Sequence, residues 1–153
     1  MRMRLGLLLF TLFAVDVTAV AQNTPDRSAD KLSIKQVTQE FIQRRDDGDE
    51  AGLRALLTES CDQRLTSGRM RSGREAVLDG SLGATQTQGG KRLIALESIR
   101  FLGADVAIAD GSYDSLGRAD GTDLHMRTTM VFWRINGVWL IEAIRNVRLA
   151  DPS

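Results

Sequence analysis

Apolar residues recur at helical spacing between about Lys31 and Arg45, where Ile34, Val37, Phe41 and Ile42 share one side. Asp46-Asp47-Gly48-Asp49 stops this helix, and Asp49 is placed to cap a short second one carrying Leu53, Leu56 and Leu57. Gln63 to Thr66 reads as a strand leading into a hairpin at Ser67-Gly68. Ser72-Gly73-Arg74-Glu75 has the form of a capping box and opens a third helix through Ala76, Val77 and Leu78. Gly83 and the polar run to Gly89-Gly90 end it. Beyond residue 90 the pattern changes to strands, Lys91 to Leu102 and Val106 to Tyr113, joined by Gly103-Ala104-Asp105. After a Gly/Asp-rich loop, Leu124 to Ile135 and Val138 to Leu149 flank Asn136-Gly137, the signature of a type I′ hairpin turn. Helices first and an antiparallel meander afterwards predict an α+β fold with the helices on one face of the sheet.

That turn also predicts which side chains share a face. Phe132 should oppose Ile141, Met130 should oppose Ala143, and Thr128 should oppose Arg145. Thr128, Met130, Phe132, Trp139 and Arg145 then face the helices. Val131, Trp133, Leu140 and Ile144 fall on the outer face among charges, too apolar a set for plain solvent exposure and suited to a homodimer interface. A slip of one residue would exchange the two sets.

The first residues stand apart. Arg2 and Arg4 precede an apolar run from Leu5 to Val15, and Ala19-Val20-Ala21 offers small residues for cleavage. This is the layout of a signal peptide over residues 1–21. Asp16 interrupts the run before it reaches the roughly 20 apolar residues of a membrane span. The chain is therefore expected to be exported, periplasmic or secreted, without a membrane anchor. Residues 22–30 should be a flexible start, and 31–150 one domain.

Composition narrows the function classes. Twenty basic residues balance twenty acidic ones, so no net charge draws the chain to nucleic acid. Aromatics at 5% leave little for base stacking. One Cys and one His exclude a structural zinc site and an internal disulfide, and no metal or cofactor is expected. Cys61 reads as a small buried hydrophobe.

Several pieces together resemble a known family: Gly48-Asp49 with Leu56-Leu57, Ser72-Gly73-Arg74-Glu75-Ala76, Leu102-Gly103-Ala104-Asp105-Val106-Ala107, and Trp133-Arg134-Ile135-Asn136-Gly137-Val138-Trp139-Leu140-Ile141. Their order and spacing resemble the SnoaL-like, or DUF4440-like, branch of the nuclear-transport-factor-2-like superfamily, its SgcJ/EcaC group in particular. The resemblance covers the chain from about residue 30. It implies a cone-shaped curved antiparallel sheet wrapped round about three N-terminal helices, commonly a dimer, with a small-molecule pocket at the wide end. The superfamily's steroid isomerases carry a tyrosine, a general-base aspartate and a second acid where this sequence has Phe41, Leu65 and Val131. Apolar residues cannot move a proton, so that chemistry is disfavoured, and Phe41 is instead expected to wall the pocket.

Arg145 is the most pointed candidate. On an apolar face an unpaired charge is costly, so it should meet an anionic or carbonyl ligand or an internal carboxylate. Asp110 and Tyr113 end a strand and can rim the pocket. Asp123 is placed to orient His125, although a solvated histidine explains the pair as well. The loop from Asp114 to Asp123 lacks the spacing and closing Glu of a calcium site. No catalytic trio stands out. The favoured reading is an exported protein that binds a small apolar or amphipathic molecule in an apolar pocket lined by Phe41, Tyr113, Thr128, Met130, Phe132, Trp139 and Arg145. The alternatives are an enzyme of cyclase, isomerase or hydratase type, and a non-catalytic protein-interaction module.

Overall fold

The computed structural model describes residues 26–149. The signal-peptide reading, residues 22–25 and the domain end at 150 lie outside them. Helix α1, Ser28–Asp47, starts earlier than its apolar pattern suggests, because the Asp26 carboxylate accepts from the Ser28 N–H and hydroxyl at 2.9 and 2.6 Å. Ser28 to Asp30, expected to be flexible, are thus helical. Gly48 (φ 71°) closes α1 in the left-handed region that glycine tolerates, and Asp49 accepts from the Gly52 N–H at 2.9 Å to open α2, Glu50–Ala55. That bond, and then the Arg44 guanidinium, hold the Asp49 carboxyl below its ordinary range.

Two local expectations fail for identifiable reasons. Leu57 is not helical: Leu56 accepts from the Ile141 N–H at 2.9 Å and Leu57 pairs with Ile141, so the chain passes directly into strand β1, Leu57–Arg64. Only Gln63 and Arg64 of the expected strand belong to it, and Leu65 to Arg69 make the turn to β2, Met70–Ser72. The capping box does not form either. Ser72 is held opposite Asp62, Gly73 caps the helix without a side-chain bond, and Glu75 pairs with Arg54 instead. Helix α3, Arg74–Gln88, then runs through Gly80 and Gly83 to a cap at Gly89.

Strands β3 (Lys91–Phe101), β4 (Val106–Leu116), β5 (Leu124–Ile135) and β6 (Val138–Arg148) form the meander. Asn136 (φ 51°) and Gly137 (φ 81°) make the left-handed turn that the sequence demands. The six strands lie in the order β2-β1-β6-β5-β4-β3. All pairs are antiparallel except β1 with β6, so the expected antiparallel sheet is a mixed one. The fold is α+β, a curved open sheet with three helices among the described residues.

One irregularity redirects half a strand. Phe132 pairs with Ile141 as expected, but Val131 pairs with Ala143, Thr129 with Arg145 and Thr128 with Asn146. Glu142 is the extra residue of a β-bulge, and its carboxylate accepts from the hydroxyls of Thr58 and Ser60 on the outer face. Everything beyond it changes sides. Ile144, expected outside, is buried in the core with Phe41, Leu53, Met130 and Phe132, and Asn146 is buried as well. Arg145, expected inside, lies on the outer face and donates to Asp62 at 2.6 Å. Burying an isoleucine while freeing an arginine favours the bulge over the regular register.

Candidate functional site

Arg45 is where the site begins. It follows Ile34, Thr38 and Phe41 on the buried side of α1 and is only 5% exposed. Its Nε donates to the Ser81 carbonyl at 3.2 Å and to the Thr85 hydroxyl at 3.1 Å, and Nη1 donates to the Tyr113 hydroxyl at 2.6 Å. All three acceptors are neutral. Around it opens a cavity of about 320 Å³, between the inner face of β4, β5 and β6 and the C-terminal parts of α1 and α3. Five further arginines line it: Arg69, Arg71, Arg92, Arg118 and Arg148.

These arginines differ in how they are held. Arg71 from β2 donates to the Gln63 side-chain carbonyl at 2.7 Å. It lies across α3 at Gly80, where a Cβ would stand 2.1 Å from its Nε. Arg92, 2% exposed, pairs with Asp46 at 3.2 Å outside the lining, and Arg118 pairs with Asp120 at 3.1 Å. Among the described residues Arg45, Arg69, Arg71 and Arg148 form no ion pair, and no carboxylate lines the cavity. Burial, with the nearby Arg92 adding to it, pulls the Arg45 guanidinium below its usual range, although Tyr113 works the other way. Burial followed by Arg45 and Arg69 does the same to Arg71. Arginine stays protonated regardless, so the cavity concentrates positive charge.

Of the residues expected to form the pocket, Tyr113 lines this cavity. Thr128 is buried on the adjacent inner row opposite Asn146, and its hydroxyl has no partner. Phe41, Met130 and Phe132 are packed in the core cluster, while Trp139 lies at the opposite end and donates to Asp30 at 2.9 Å. Arg145 is on the other face of the sheet. Asp110 also points outward and accepts from Thr129 at 2.6 Å. His125 meets Asp114 at 2.8 Å rather than Asp123, whose carboxylate caps the Gly117 N–H. Arg45 had a legible signal, since it continues the buried stripe of α1. Arg69, Arg71, Arg92, Arg118 and Arg148 had none, because only the tertiary fold collects them.

A second hollow of about 760 Å³ lies near Arg27, Lys31, Ile99 and Phe101, with Arg27 committed to the carbonyls of Gly103 and Ala104. Among the described residues no group of three or more His, Cys, Asp or Glu side chains could hold a metal ion. No described helix is long and apolar enough to cross a membrane.

The architecture is the nuclear-transport-factor-2-like, or cystatin-like, fold. An uncharacterised protein with a cystatin-like fold from Caulobacter vibrioides superposes with a TM-score of 0.70 at 15% identity, covering 78% of this chain and 89% of that one. An NTF2-like superfamily protein from Salmonella enterica gives 0.67 at 18% identity, over 84% and 96% of the two chains. A putative scytalone dehydratase from Novosphingobium aromaticivorans gives 0.68 at 15% identity, over 80% and 85%. No family model and no curated protein matches the chain.

Proposed function

We propose that this protein binds a small organic anion in the arginine cavity. The observation that carries the reading is four lining arginines, Arg45, Arg69, Arg71 and Arg148, that form no ion pair among the described residues, beside Arg92 and Arg118, which pair with carboxylates outside the lining. A volume of about 320 Å³ suits a compact ligand, since sites for small molecules span roughly 300–1,000 Å³. The lining is polar, in contrast to the apolar pocket favoured from the sequence. Acid–base catalysis of cyclase, isomerase or hydratase type calls for a group that takes a proton. Apart from the Tyr113 hydroxyl, the described lining offers no Asp, Glu, His or Cys, which supports binding over such a reaction.

Calorimetric titration with carboxylates and phosphates, at low and at physiological ionic strength, tests this. Anions should bind and neutral or cationic analogues of equal size should not. Binding confined to neutral apolar compounds, with no dependence on salt, refutes it. Export belongs to the same proposal and is supported by the N-terminal pattern: mature protein from a secreting host should begin at Gln22 by intact mass, and a full-length chain in the membrane fraction refutes it. A homodimer through Val131, Trp133 and Leu140 is supported by the exposure of Trp133, 45%.

A further inference from the structure

Three of the cavity's arginines lie along one side of α3. Gly80, Ser81, Ala84 and Thr85 are spaced i, i+1, i+4 and i+5, which groups them on one side of that helix. Arg45 donates to the Ser81 carbonyl and the Thr85 hydroxyl, Arg92 donates to the Ala84 carbonyl at 3.2 Å, and Arg71 lies over Gly80. Residues this small let bulky guanidinium groups come up to the helix. Ser81, Ala84 and Thr85 do so with a Cβ in place, whereas position 80 has no room for one. The three atoms nearest to a Cβ there all belong to Arg71: Nε at 2.1 Å, Cζ at 2.3 Å and Cδ at 2.8 Å. Carbon atoms in ordinary contact stand about 3.5–4.0 Å apart, so an alanine and Arg71 cannot both keep these places.

Glycine is a poor residue for a helix interior, because ordering its backbone costs more than for any other residue. Helix α3 carries two, and they differ. A Cβ at Gly83 would meet nothing within 4 Å, so alanine fits there. At Gly80 the obstacle is a flexible side chain rather than backbone, so alanine would leave the helix standing and push Arg71 aside. Arg71 has little else to hold it: its Nη1 donation to Gln63 at 2.7 Å is the one hydrogen bond of this guanidinium among the described residues. A single bond leaves a guanidinium free to swing, and the seat on α3 supplies the second constraint. We infer that Gly80 is a positioning residue for anion binding, keeping α3 free of a side chain where the Arg71 guanidinium must lie to face the cavity. This rests on the anion-binding reading above and deepens it.

Gly80→Ala, Gly83→Ala, Arg71→Ala and the double variant Gly80→Ala/Arg71→Ala test this with two readouts. The first needs no ligand. The Arg71 Nε–H resonance in a proton–nitrogen correlation spectrum, identified by its loss in Arg71→Ala, should move in Gly80→Ala and stay in place in Gly83→Ala. The second is calorimetric titration with inorganic phosphate and with succinate at low ionic strength. Gly80→Ala should bind about tenfold more weakly, the lower end of what losing a charge-assisted hydrogen bond costs. The double variant should match Arg71→Ala within about twofold, because both changes act through one side chain. Gly83→Ala should bind as the wild type does and raise Tm by roughly 2–4 °C. An Arg71 resonance unmoved in Gly80→Ala overturns the seat. A moved resonance with unchanged or tighter binding overturns the role in binding and leaves the anion reading standing. Failure of the wild type to bind either anion overturns the anion reading and that role together, while the resonance still decides the seat. If Gly80→Ala does not fold, the double variant decides: a Tm above that of Arg71→Ala by the same few degrees supports the seat, and a double variant that also fails to fold overturns it.

Discussion

Replacing Arg71 by glutamine should remove about half or more of the stabilisation that a bound anion confers. Arg71 makes no ion pair among the described residues and faces the cavity with only Gln63 as its acceptor. A charge-assisted hydrogen bond contributes about 1.5–3 kcal/mol, so its loss should weaken binding roughly tenfold to a hundredfold. At an anion concentration of about 100 times Kd the ligand stabilises the fold by about 2.7 kcal/mol; after a hundredfold loss the same concentration stabilises by only about 0.4 kcal/mol. For a domain of this size 1 kcal/mol moves Tm by roughly 4 °C. The ligand-induced shift should therefore fall from about 11 °C to about 2 °C for a hundredfold loss, or to about 6 °C for a tenfold one. Differential scanning fluorimetry with and without anion measures it, and any change in the unliganded Tm from freeing Gln63 cancels in the difference. Arg127→Gln is the control: it removes the same charge from an exposed pair with Glu97 at 2.7 Å on the outer face. Equal losses in the two variants would show general charge screening rather than a site, and would refute the reasoning.

The bulge makes neighbouring residues respond oppositely. Ile144→Ala should cost about 2–5 kcal/mol in urea unfolding, as full core burial requires, whereas Arg145→Met breaks a partly exposed pair and should cost about 1 kcal/mol or less; the reverse order would restore the regular register. Cys61, whose thiol is pushed up to about 12 from 9.0 by burial and then by Glu142 and Asp62, should stay unreactive to thiol reagents in the folded protein. Its raised folded value contributes stability that is fully present below pH 9 and declines as pH rises toward 12, by about 1.4 kcal/mol per pH unit; Cys61→Ala should flatten the alkaline stability profile, and an unchanged profile would contradict it. Trp133→Asp should shift a dimer toward monomer in light scattering, and a wild-type monomer at high micromolar concentration would exclude the stable dimer.

What could be read in advance follows from the range over which each signal acts. Gly48-Asp49 and Asn136-Gly137 specify their turns through their own backbone and side-chain chemistry, and both appear where expected. The bulge at Glu142 depends on β1, distant in sequence, whose Thr58 and Ser60 receive the displaced carboxylate. The register that the turn imposes therefore holds as far as Ile141, and every face beyond it is reversed. Regular alternation from the turn puts Arg145 inside, where the bulge turns it outward, and the arginines that do converge come from α1, the β1–β2 loop, β2, β3, the β4–β5 loop and β6. No window of sequence contains two of those elements' contributions except Arg69 and Arg71.

The arginines of this protein divide by the kind of acceptor they meet, and the division has a physical consequence. Arg54, Arg127, Arg134 and Arg145 outside the cavity, and Arg92 and Arg118 in its wall, each face a carboxylate, which offsets their charge. Arg45 and Arg71 are instead held by a carbonyl, hydroxyls and a side-chain amide. Neutral acceptors fix the direction of a guanidinium and satisfy its donors, but they leave its field intact. A carboxylate in the same place would satisfy the donors equally well and extinguish the attraction for an incoming anion. Holding buried charge without cancelling it costs stability, and under the proposed function a bound anion would offset that cost. Gln63 is thus more telling than an acid would be: an amide, where a glutamate would have made a stronger pair, keeps Arg71 both oriented and available.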